Sequence, residues 1–220
     1  MRRALIAVCL APALAAAAPS EIKVFTDELA GLREHTLEVH ANRSARTRLM
    51  PEYSYGLWHD WEVSVQLPLA LSDGVRAEGY RAELQYVAPH DGRAGAYWGF
   101  NAELARLERL GEPHFQNVEL IPILGVRSGA WHLVANPGFS LPVTGNDRKL
   151  SFDPAAKAAY GPPRSAWGFE YYAEGETRSR TFYLAWDGKL GRSDINAGIG
   201  RGFAGAADRW VVKTIFEVAF

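Results

Sequence analysis

The last eleven residues constrain the fold of this chain more than any other stretch. Alternate residues from Trp210 to Phe220 are apolar, apart from Thr214, whereas the charged Lys213 and Glu217 occupy positions between them. Successive side chains of a β-strand point to opposite faces, so this spacing separates a nearly uniform apolar face from a face that carries both charges. The stretch therefore predicts an amphipathic β-strand that ends on an aromatic residue.

The amino terminus has the pattern of an export signal. Arg2 and Arg3 precede an apolar run that ends in alanines at positions 15–17. This order predicts a signal peptide over residues 1–17, and the run is too short for a membrane-spanning helix. The only cysteine, Cys9, lies inside the run without the small-residue motif of a lipidated cysteine, which favours an ordinary signal peptide over a lipoprotein.

Export, together with an aromatic-ended amphipathic strand, predicts a protein of the bacterial outer membrane. After residue 17, no stretch of eighteen or more residues is continuously apolar, so spanning helices are not expected. We expect residues 18–35 to form a periplasmic amino-terminal segment and residues 36–220 to form one outer-membrane β-barrel. The formal net charge of −1 shows no basic excess, so nucleic acid is not an expected partner.

Alternating segments recur along residues 36–220 with turns between them, as in transmembrane barrels. We count twelve and predict an all-β, antiparallel, up-and-down barrel with short periplasmic turns. Ten strands are the alternative if the weak segments at Thr36 and Thr181 are not strands. The predicted strands are 36–42, 51–57, 61–71, 80–86, 97–103, 118–126, 131–141, 150–160, 167–172, 181–186, 195–203 and 210–220.

The tryptophans agree with this topology. With twelve strands that start from and return to the periplasm, six of the seven tryptophans fall at or near periplasmic strand ends. Indole side chains prefer the headgroup level of a bilayer, so we expect an aromatic girdle there. Its predicted members are Trp58, Trp61, Trp98, Trp131, Trp167 and Trp186, whereas Trp210 falls at the opposite rim.

The end of the closing strand is the predicted barrel-assembly signal. Phe216, Val218 and Phe220 lie on its apolar face and include the aromatic terminus. We therefore expect the barrel-assembly machinery and periplasmic chaperones to be partners of the chain, with outer-membrane lipids around the folded barrel.

A soluble periplasmic β-sandwich or lipocalin-like barrel is the competing fold. There the apolar faces would point inward, and alternation alone does not distinguish inside from outside. The aromatic terminus, the clustered tryptophans and the aromatic residues on the apolar face, such as Tyr53, Phe100 and Phe152, favour the membrane barrel.

In a membrane barrel the polar faces line the lumen. Here they carry eight carboxylates against three basic side chains, which favours cations or neutral solutes over anions. The same charges could instead pair across the interior and close it, and the sequence leaves both arrangements open. The predicted lumen-lining charged residues are Glu38, Glu62, Arg81, Glu83, Glu103, Glu119, Asp153, Lys157, Glu170, Lys213 and Glu217.

Enzymatic and metal chemistry find little support in the residue patterns. Of six histidines, only His40 and His132 are predicted to face the lumen from strands, and neither has an identifiable serine partner. The chain has no His-x-x-x-His pair and no EF-hand spacing, and loss of residues 1–17 removes its cysteine. We therefore predict no catalytic residues, no metal site and no cofactor.

Two stretches carry a resemblance to a known group. Residues 51–69, PEYSYGLWHDWEVSVQLPL, resemble a hairpin of proteobacterial outer-membrane proteins grouped with the channels of the phenol-degradation meta-pathway. Residues 190–202 and 207–214 are similar to the carboxy-terminal part of that group. The resemblance covers about a third of the mature chain and implies an outer-membrane barrel for solute passage, without catalytic residues.

These patterns predict a passive channel or porin for small solutes, with an acidic lumen. The first alternative is a non-conducting structural or surface-interaction barrel, which an interior sealed by Glu–Arg and Glu–Lys pairs would favour. The second is an outer-membrane lipid hydrolase, which a His–Ser pair within hydrogen-bond distance near the outer rim would favour.

Overall fold

The computed structural model describes residues 22–44, 46–71, 74–109, 112–145, 148–205 and 209–220, and the predicted signal peptide lies outside these ranges. Within them the regular structure is all β, and no helix is long and apolar enough to cross a membrane. The segments are β1 (His35–Arg43), β2 (Thr47–Trp58), β3 (Trp61–Gln66), β4 (Leu69–Ala70), β5 (Arg76–Ala77), β6 (Gly79–Val87), β7 (Gly95–Arg109), β8 (Glu112–Ser128), β9 (Trp131–Pro142), β10 (Ser151–Tyr160), β11 (Ser165–Glu174), β12 (Ser179–Leu190), β13 (Ser193–Ala204) and β14 (Val211–Ala219).

The segments form one antiparallel sheet that closes on itself. β14 pairs with β1, with Val218 opposite Leu37, so the sheet has no free long edge. β3 and β4 both pair with β2 and form one crossing, and β5 and β6 pair with these two and form the next. The fourteen described segments therefore make twelve crossings, which confirms the predicted fold. The weak segments at Thr36 and Thr181 are both strands.

The outer face of the barrel is apolar, and the inner face is mostly polar with a buried apolar cluster that includes Phe25 and Ile123. On β6, Arg81 is 2 % exposed and Tyr80 is 48 % exposed, and the neighbouring strands alternate in the same way. A soluble sandwich or lipocalin-like barrel has the reverse arrangement. A continuous outer band of large apolar side chains is unfavourable in water but suits a lipid environment. The structure thus disfavours the soluble alternative.

One rim, which we call the Trp-rich rim, contains the carboxyl end of the chain and all six tryptophans of the predicted girdle. Trp58 lies opposite Trp61, and Trp167 lies opposite Trp186, at the ends of their strand pairs. Trp210 lies at the opposite rim, where β14 begins. The turns of the Trp-rich rim are 59–60, 88–94, 129–130, 161–164 and 191–192.

The chain before β1 runs inside the barrel. Residues 22–34, called here the lumenal segment, include the buried Ile22 and Phe25. The Tyr172 hydroxyl donates a hydrogen bond to the Ile22 carbonyl at 2.6 Å, and Asn136 Nδ2 donates to the Phe25 carbonyl at 3.0 Å. The sequence predicts a periplasmic segment over residues 18–35. The structure instead places residues 22–30 inside the barrel, where the polar interior supplies hydrogen-bond partners for this backbone, and residues 31–34 are exposed. Residues 18–21 lie outside the described residues.

Candidate functional site: the barrel lumen and its amino-terminal segment

The lumenal segment lies between two cavities. The larger, of about 410 Å³, is lined by residues of the Trp-rich rim such as Gly129 and Gly161. The smaller, of about 100 Å³, lies toward the opposite rim beside Asn117 and Glu176. Lys23 borders both cavities. The segment therefore separates these two cavities of the barrel interior.

Asp27 fixes the lumenal segment near the Trp-rich rim. Arg127 donates hydrogen bonds from Nε (2.9 Å) and Nη2 (2.6 Å) to the two carboxylate oxygens of Asp27. His90 Nε2 lies 3.0 Å from Asp27 Oδ2, and His132 Nε2 lies 3.7 Å from Oδ1. We call these four residues the rim anchor. A bidentate, charge-assisted pair of this kind is among the stronger polar contacts in proteins.

The rim anchor keeps Asp27 ionised. Its side chain is only 4 % exposed. Burial alone would raise the pKa of Asp27, but the hydrogen bonds from Arg127 and His90 outweigh this effect and hold the pKa below its ordinary value. The negative charge that attracts Arg127 is therefore present at neutral pH.

A first acidic row crosses the inner wall on three neighbouring strands. Glu38 on β1 lies directly opposite Glu217 on β14 and Glu52 on β2. Like charges at directly opposed positions destabilise a sheet unless a counter-ion is present. Lys23 Nζ lies 3.1 Å from Glu38 Oε1 and 3.7 Å from Glu52 Oε1. The lumenal segment thus supplies positive charge to this row.

A second acidic row consists of Glu83, Glu103 and Glu119, which lie opposite one another on β6, β7 and β8. Arg81 Nη1 donates to Glu103 Oε2 at 2.9 Å, and both side chains are buried. Glu83 Oε1 accepts a hydrogen bond from Gln66 Nε2 at 2.6 Å. Side chains of the wall therefore compensate part of this row without the lumenal segment.

A third polar cluster surrounds the first described residue. Lys213 Nζ contacts the Glu170 carboxylate and donates to the Ile22 carbonyl at 2.8 Å. The Tyr172 hydroxyl lies 3.0 Å from the same ammonium group. Lys213, Glu170 and Tyr172 are all buried. The lumenal segment is thus fixed at both ends of its inner part, here and at the rim anchor.

All eleven charged residues predicted to line the lumen lie on the inner face. Glu38, Arg81, Glu83, Glu103, Glu170 and Lys213 are buried, and Glu62, Glu119, Asp153, Lys157 and Glu217 are partly exposed and border the cavities. The sequence interpretation missed the contributions of Lys23 and Asp27, because it placed their segment outside the barrel. Three opposed carboxylates, Glu38, Glu52 and Glu217, indicate that a positive charge must lie beside them. This indication is available only once the strand register is known.

The predicted assembly signal lies on the outer face at the end of the last strand. Phe216 and Val218 belong to β14, and Phe220 follows it. The Phe220 ring stacks on His35 with centroids 5.9 Å apart, and its backbone N–H donates to the His35 carbonyl at 2.9 Å. The terminal residue thus takes part in closing the barrel. Its recognition by assembly machinery stays a prediction.

The described histidines make no hydrogen bond to a serine. His132 Nε2 lies 2.7 Å from the Tyr97 hydroxyl, and His35 Nδ1 lies 2.6 Å from the Tyr53 hydroxyl. The side chain of His114 lies outside the described residues. The described part of the chain therefore offers no His–Ser arrangement that would favour the hydrolase alternative.

The architecture is similar to that of solved porin structures. The KdgM porin matches with a TM-score of 0.64 and 9 % identity, over 84 % of this chain and 99 % of that chain. A KdgM porin in complex with disordered oligogalacturonate matches with a TM-score of 0.61 and 10 % identity, over the same shares. LpxR from Salmonella typhimurium gives a TM-score of 0.48 at 6 % identity, over 83 % of this chain and 99 % of that chain.

The sequence itself matches no protein-family model and no curated protein. The resemblance to the phenol-degradation group therefore has no support at the family level. At identities of 9 and 10 %, the likeness to the KdgM porins concerns the fold. The chain thus shares the closed, twelve-stranded antiparallel barrel of these porins.

Proposed function

We propose that this protein is an outer-membrane channel for small solutes and that its own lumenal segment closes it until that segment is displaced. The observation that carries the proposal is the position of residues 22–34 between the two lumenal cavities. Side-chain contacts, such as Asp27 with Arg127, hold the inner part of this segment in place, so it can leave without breaking the strand pairing of the barrel.

The outer surface supports the outer-membrane location. Large apolar side chains cover it between the rims, for example Leu120, Phe152 and Leu184. The tryptophans at one rim match the headgroup preference of indole, and the predicted signal peptide provides for export. A barrel can cross a bilayer because its closed sheet satisfies the backbone hydrogen bonds internally.

The polar wall supports a water-filled path over a permanent filling. Buried ion pairs such as Arg81–Glu103 contribute little to stability, and apolar side chains of similar volume often serve as well or better. The inner wall nevertheless presents the amides of Gln66 and Asn136 and the charges of the acidic rows. Such a wall can be hydrated when the lumenal segment leaves, whereas an apolar interior would not be.

The charges of the wall favour neutral or cationic solutes. Glu217, Glu38 and Glu52 form one opposed acidic row, and displacement of Lys23 would remove positive charge beside it. Oligogalacturonate, present in one of the similar porins, is an acidic oligosaccharide. Such a ligand does not suit the wall of this barrel, because the opposed glutamates would repel a polyanion.

A substitution at Gly56 tests the proposal. Gly56 lies beside the end of the lumenal segment next to β1, where the chain passes from the lumen to the Trp-rich rim. Arg33 N–H donates to the Gly56 carbonyl at 2.8 Å, and Gly56 N–H donates to the Glu34 carbonyl at 3.1 Å. A Cβ atom on Gly56 would lie 2.0 Å from the Gly31 carbonyl oxygen, so Gly56→Ala must push the segment away from the wall. Gly92→Ala is the matched control, because nothing lies within 4 Å of its added Cβ.

The measurement is the single-channel current of the refolded, full-length mature protein in a planar bilayer across a salt gradient. We expect the wild type and Gly92→Ala to be closed for most of the time. Gly56→Ala should be open for a larger fraction, with a reversal potential that shows cation preference. A Gly56→Ala barrel that is inserted and heat-modifiable but silent would refute the channel.

A non-conducting structural or surface-interaction barrel is the second candidate. Its support is the number of ion pairs inside the barrel, including Lys213 with Glu170 and Lys157 with Asp187. In this case the lumenal segment is a permanent part of the core. Silence of a correctly folded Gly56→Ala barrel would favour this candidate, and we would expect Asp27→Asn to be silent as well.

A further inference from the structure

We propose that Glu38, His40 and Glu52 form a binding site for a first-row divalent cation such as Zn²⁺, and that Lys23 competes with the cation for this site. The binding site stands independently of conduction. The competition rests on the proposed function, because it links cation binding to displacement of the lumenal segment.

The three side chains converge from two neighbouring strands. Glu38 and His40 are two residues apart on β1 and so share a face, and Glu52 lies directly opposite Glu38 on β2. One candidate ligand atom from each side chain lies within 4.8 Å of the other two. His40 Nε2 contacts a Glu38 oxygen and lies 3.2 Å from Glu52 Oε2. Tetrahedral ligand atoms about 2.0–2.2 Å from one zinc ion lie about 3.4 Å from each other. The separation of His40 Nε2 from Glu52 Oε2 is close to this value, whereas the Glu38 oxygen would have to move away from Nε2 to bind the same ion.

The imidazole of His40 is buried, with an exposed fraction of 2 %, and it faces both carboxylates. Its Nε2 contacts Glu38 Oε1 and lies 3.2 Å from Glu52 Oε2, whereas its Nδ1 has no hydrogen-bond partner among the described residues. A histidine binds a metal ion in its neutral form, so a divalent cation that displaces the proton on Nε2 would meet the ring nitrogen and both carboxylates together.

Neighbouring side chains orient Glu52 toward this site. Ser54 Oγ donates to Glu52 Oε1 at 3.3 Å, and Gln66 Nε2 donates to Oε2 at 3.1 Å. Hydrogen bonds of this kind to a ligating carboxylate are typical of metal sites, where they fix the ligand and tune its affinity. Glu52 is therefore held in a position from which it can bind a cation with little rearrangement.

The donor set selects the class of cation. One imidazole nitrogen with two carboxylate oxygens suits Zn²⁺, Co²⁺ and related first-row ions, whereas Ca²⁺ and Mg²⁺ prefer oxygen ligands throughout. Three protein ligands also leave a coordination position for water or a solute. The site therefore fits a borderline transition metal better than an alkaline-earth ion.

Lys23 provides the competing positive charge. Its ammonium group donates to Glu38 Oε2 at 3.2 Å and lies 3.7 Å from Glu52 Oε1. A divalent cation bound to Glu38, His40 and Glu52 would use these carboxylates and repel the nearby ammonium group. Lys23 is part of the lumenal segment, so bound cation would weaken the attachment of that segment. By the same linkage, a segment that stays in place weakens cation binding.

Cation binding can be measured directly on the folded, full-length mature protein in detergent. The measurements are Co²⁺ absorption spectra and Zn²⁺ titration calorimetry, with Mg²⁺ and Ca²⁺ as comparison ions. One equivalent should bind to the wild type, and His40→Gln and Glu52→Gln should each weaken binding by more than about tenfold. Lys23→Met should strengthen it by about 5-fold to 150-fold, the usual range of coupling between linked sites.

Glu119→Gln is the matched control, because it neutralises a carboxylate of the second acidic row. It should leave cation affinity unchanged, and each variant is first checked for heat-modifiable mobility as evidence of a folded barrel. Equal weakening in Glu119→Gln and His40→Gln would overturn the site, as would absence of Co²⁺ bands in both the wild type and Lys23→Met. Equal affinity for Mg²⁺ would overturn the assignment of the cation class.

Single-channel recording on the same preparations separates this inference from the proposed function. Zn²⁺ should increase the open fraction of the wild type but not that of His40→Gln. Zinc binding to a barrel that stays silent, also as Gly56→Ala, would support the site and refute the channel. A wild-type current that is unchanged by bound zinc would overturn the competition with Lys23.

Discussion

Asp27→Asn should weaken the attachment of the lumenal segment at the Trp-rich rim. The substitution keeps the shape of the side chain and one acceptor oxygen but removes the charge that Arg127 contacts at 2.9 and 2.6 Å. Hydrogen bonds to charged groups contribute about 1.5–3 kcal/mol each. Because the Arg127 side chain is 20 % exposed, water recovers part of this loss. We therefore expect a net loss of about 2–3 kcal/mol, which is roughly 30-fold to 150-fold in the ratio of bound to displaced segment.

Amide hydrogen exchange measures this ratio without requiring conduction. Exchange of amides in residues 22–34 should accelerate by the same factor in Asp27→Asn, because these amides exchange when the segment leaves its site. The control is Asp91→Asn in an exposed turn of the same rim, where Asp91 Oδ1 accepts only a local bond from the Arg93 N–H at 3.0 Å. Unchanged exchange in a folded Asp27→Asn barrel would refute the role of the rim anchor.

Three further predictions concern pH, selectivity and assembly. Contacts with Arg127 and His90 lower the pKa of Asp27 when the segment is bound. The contribution of the rim anchor is therefore complete above the ordinary pKa of a free aspartate and is lost as pH falls through the lowered value. Amide exchange of residues 22–34 should accelerate with acid in the wild type, and less in Asp27→Asn. Joint neutralisation of Glu62 and Glu83 to glutamine should shift the reversal potential of the open Gly56→Ala barrel away from cation preference, and an unchanged potential would remove these residues from the path. Deletion of Phe220 should reduce the amount of heat-modifiable protein in the outer membrane, and a normal amount would contradict its role in assembly.

The strands could be predicted because every crossing of the barrel has two chemically different faces. Tyr80 and Arg81 differ in polarity because one faces the outer surface and the other the lumen, and the alternation is readable without any tertiary information. The same argument predicts an inward position for Glu83 and Lys213, which are buried in the structure. Local alternation was sufficient to predict the strands, since successive residues of each strand face the lumen and the outer surface in turn.

The lumenal segment could not be predicted in this way. Residues 22–34 form no strand, and their position depends on partners far along the chain, such as Asn136 and Tyr172. No local sequence pattern predicts contacts between residues that are more than a hundred positions apart. The segment lies in the lumen because the barrel interior offers hydrogen-bond partners and a few buried apolar side chains, including Val134, and neither is evident until the strands are assembled.

The candidate cation site was missed for a related reason. His40 was predicted to face the lumen, but the metal motifs searched in the sequence describe ligands at fixed spacing along one segment. Here Glu52 joins Glu38 and His40 across a strand pair, and the register of β1 with β2 decides which residues meet. Register depends on turn geometry as well as on alternation, so the sequence indicated the face of each residue but not its neighbours.

Thiol reactivity at two positions of the lumenal segment tests most directly whether this segment lies inside the barrel. Val24 is 7 % exposed, whereas the Glu28 side chain is 83 % exposed and borders the larger cavity. In chains that lack Cys9, Val24→Cys should react slowly with a small water-soluble thiol reagent and Glu28→Cys rapidly, and Gly56→Ala should reduce the difference. Rapid and equal reaction at both positions in the wild-type background, as in a segment free in the periplasm, would contradict the account.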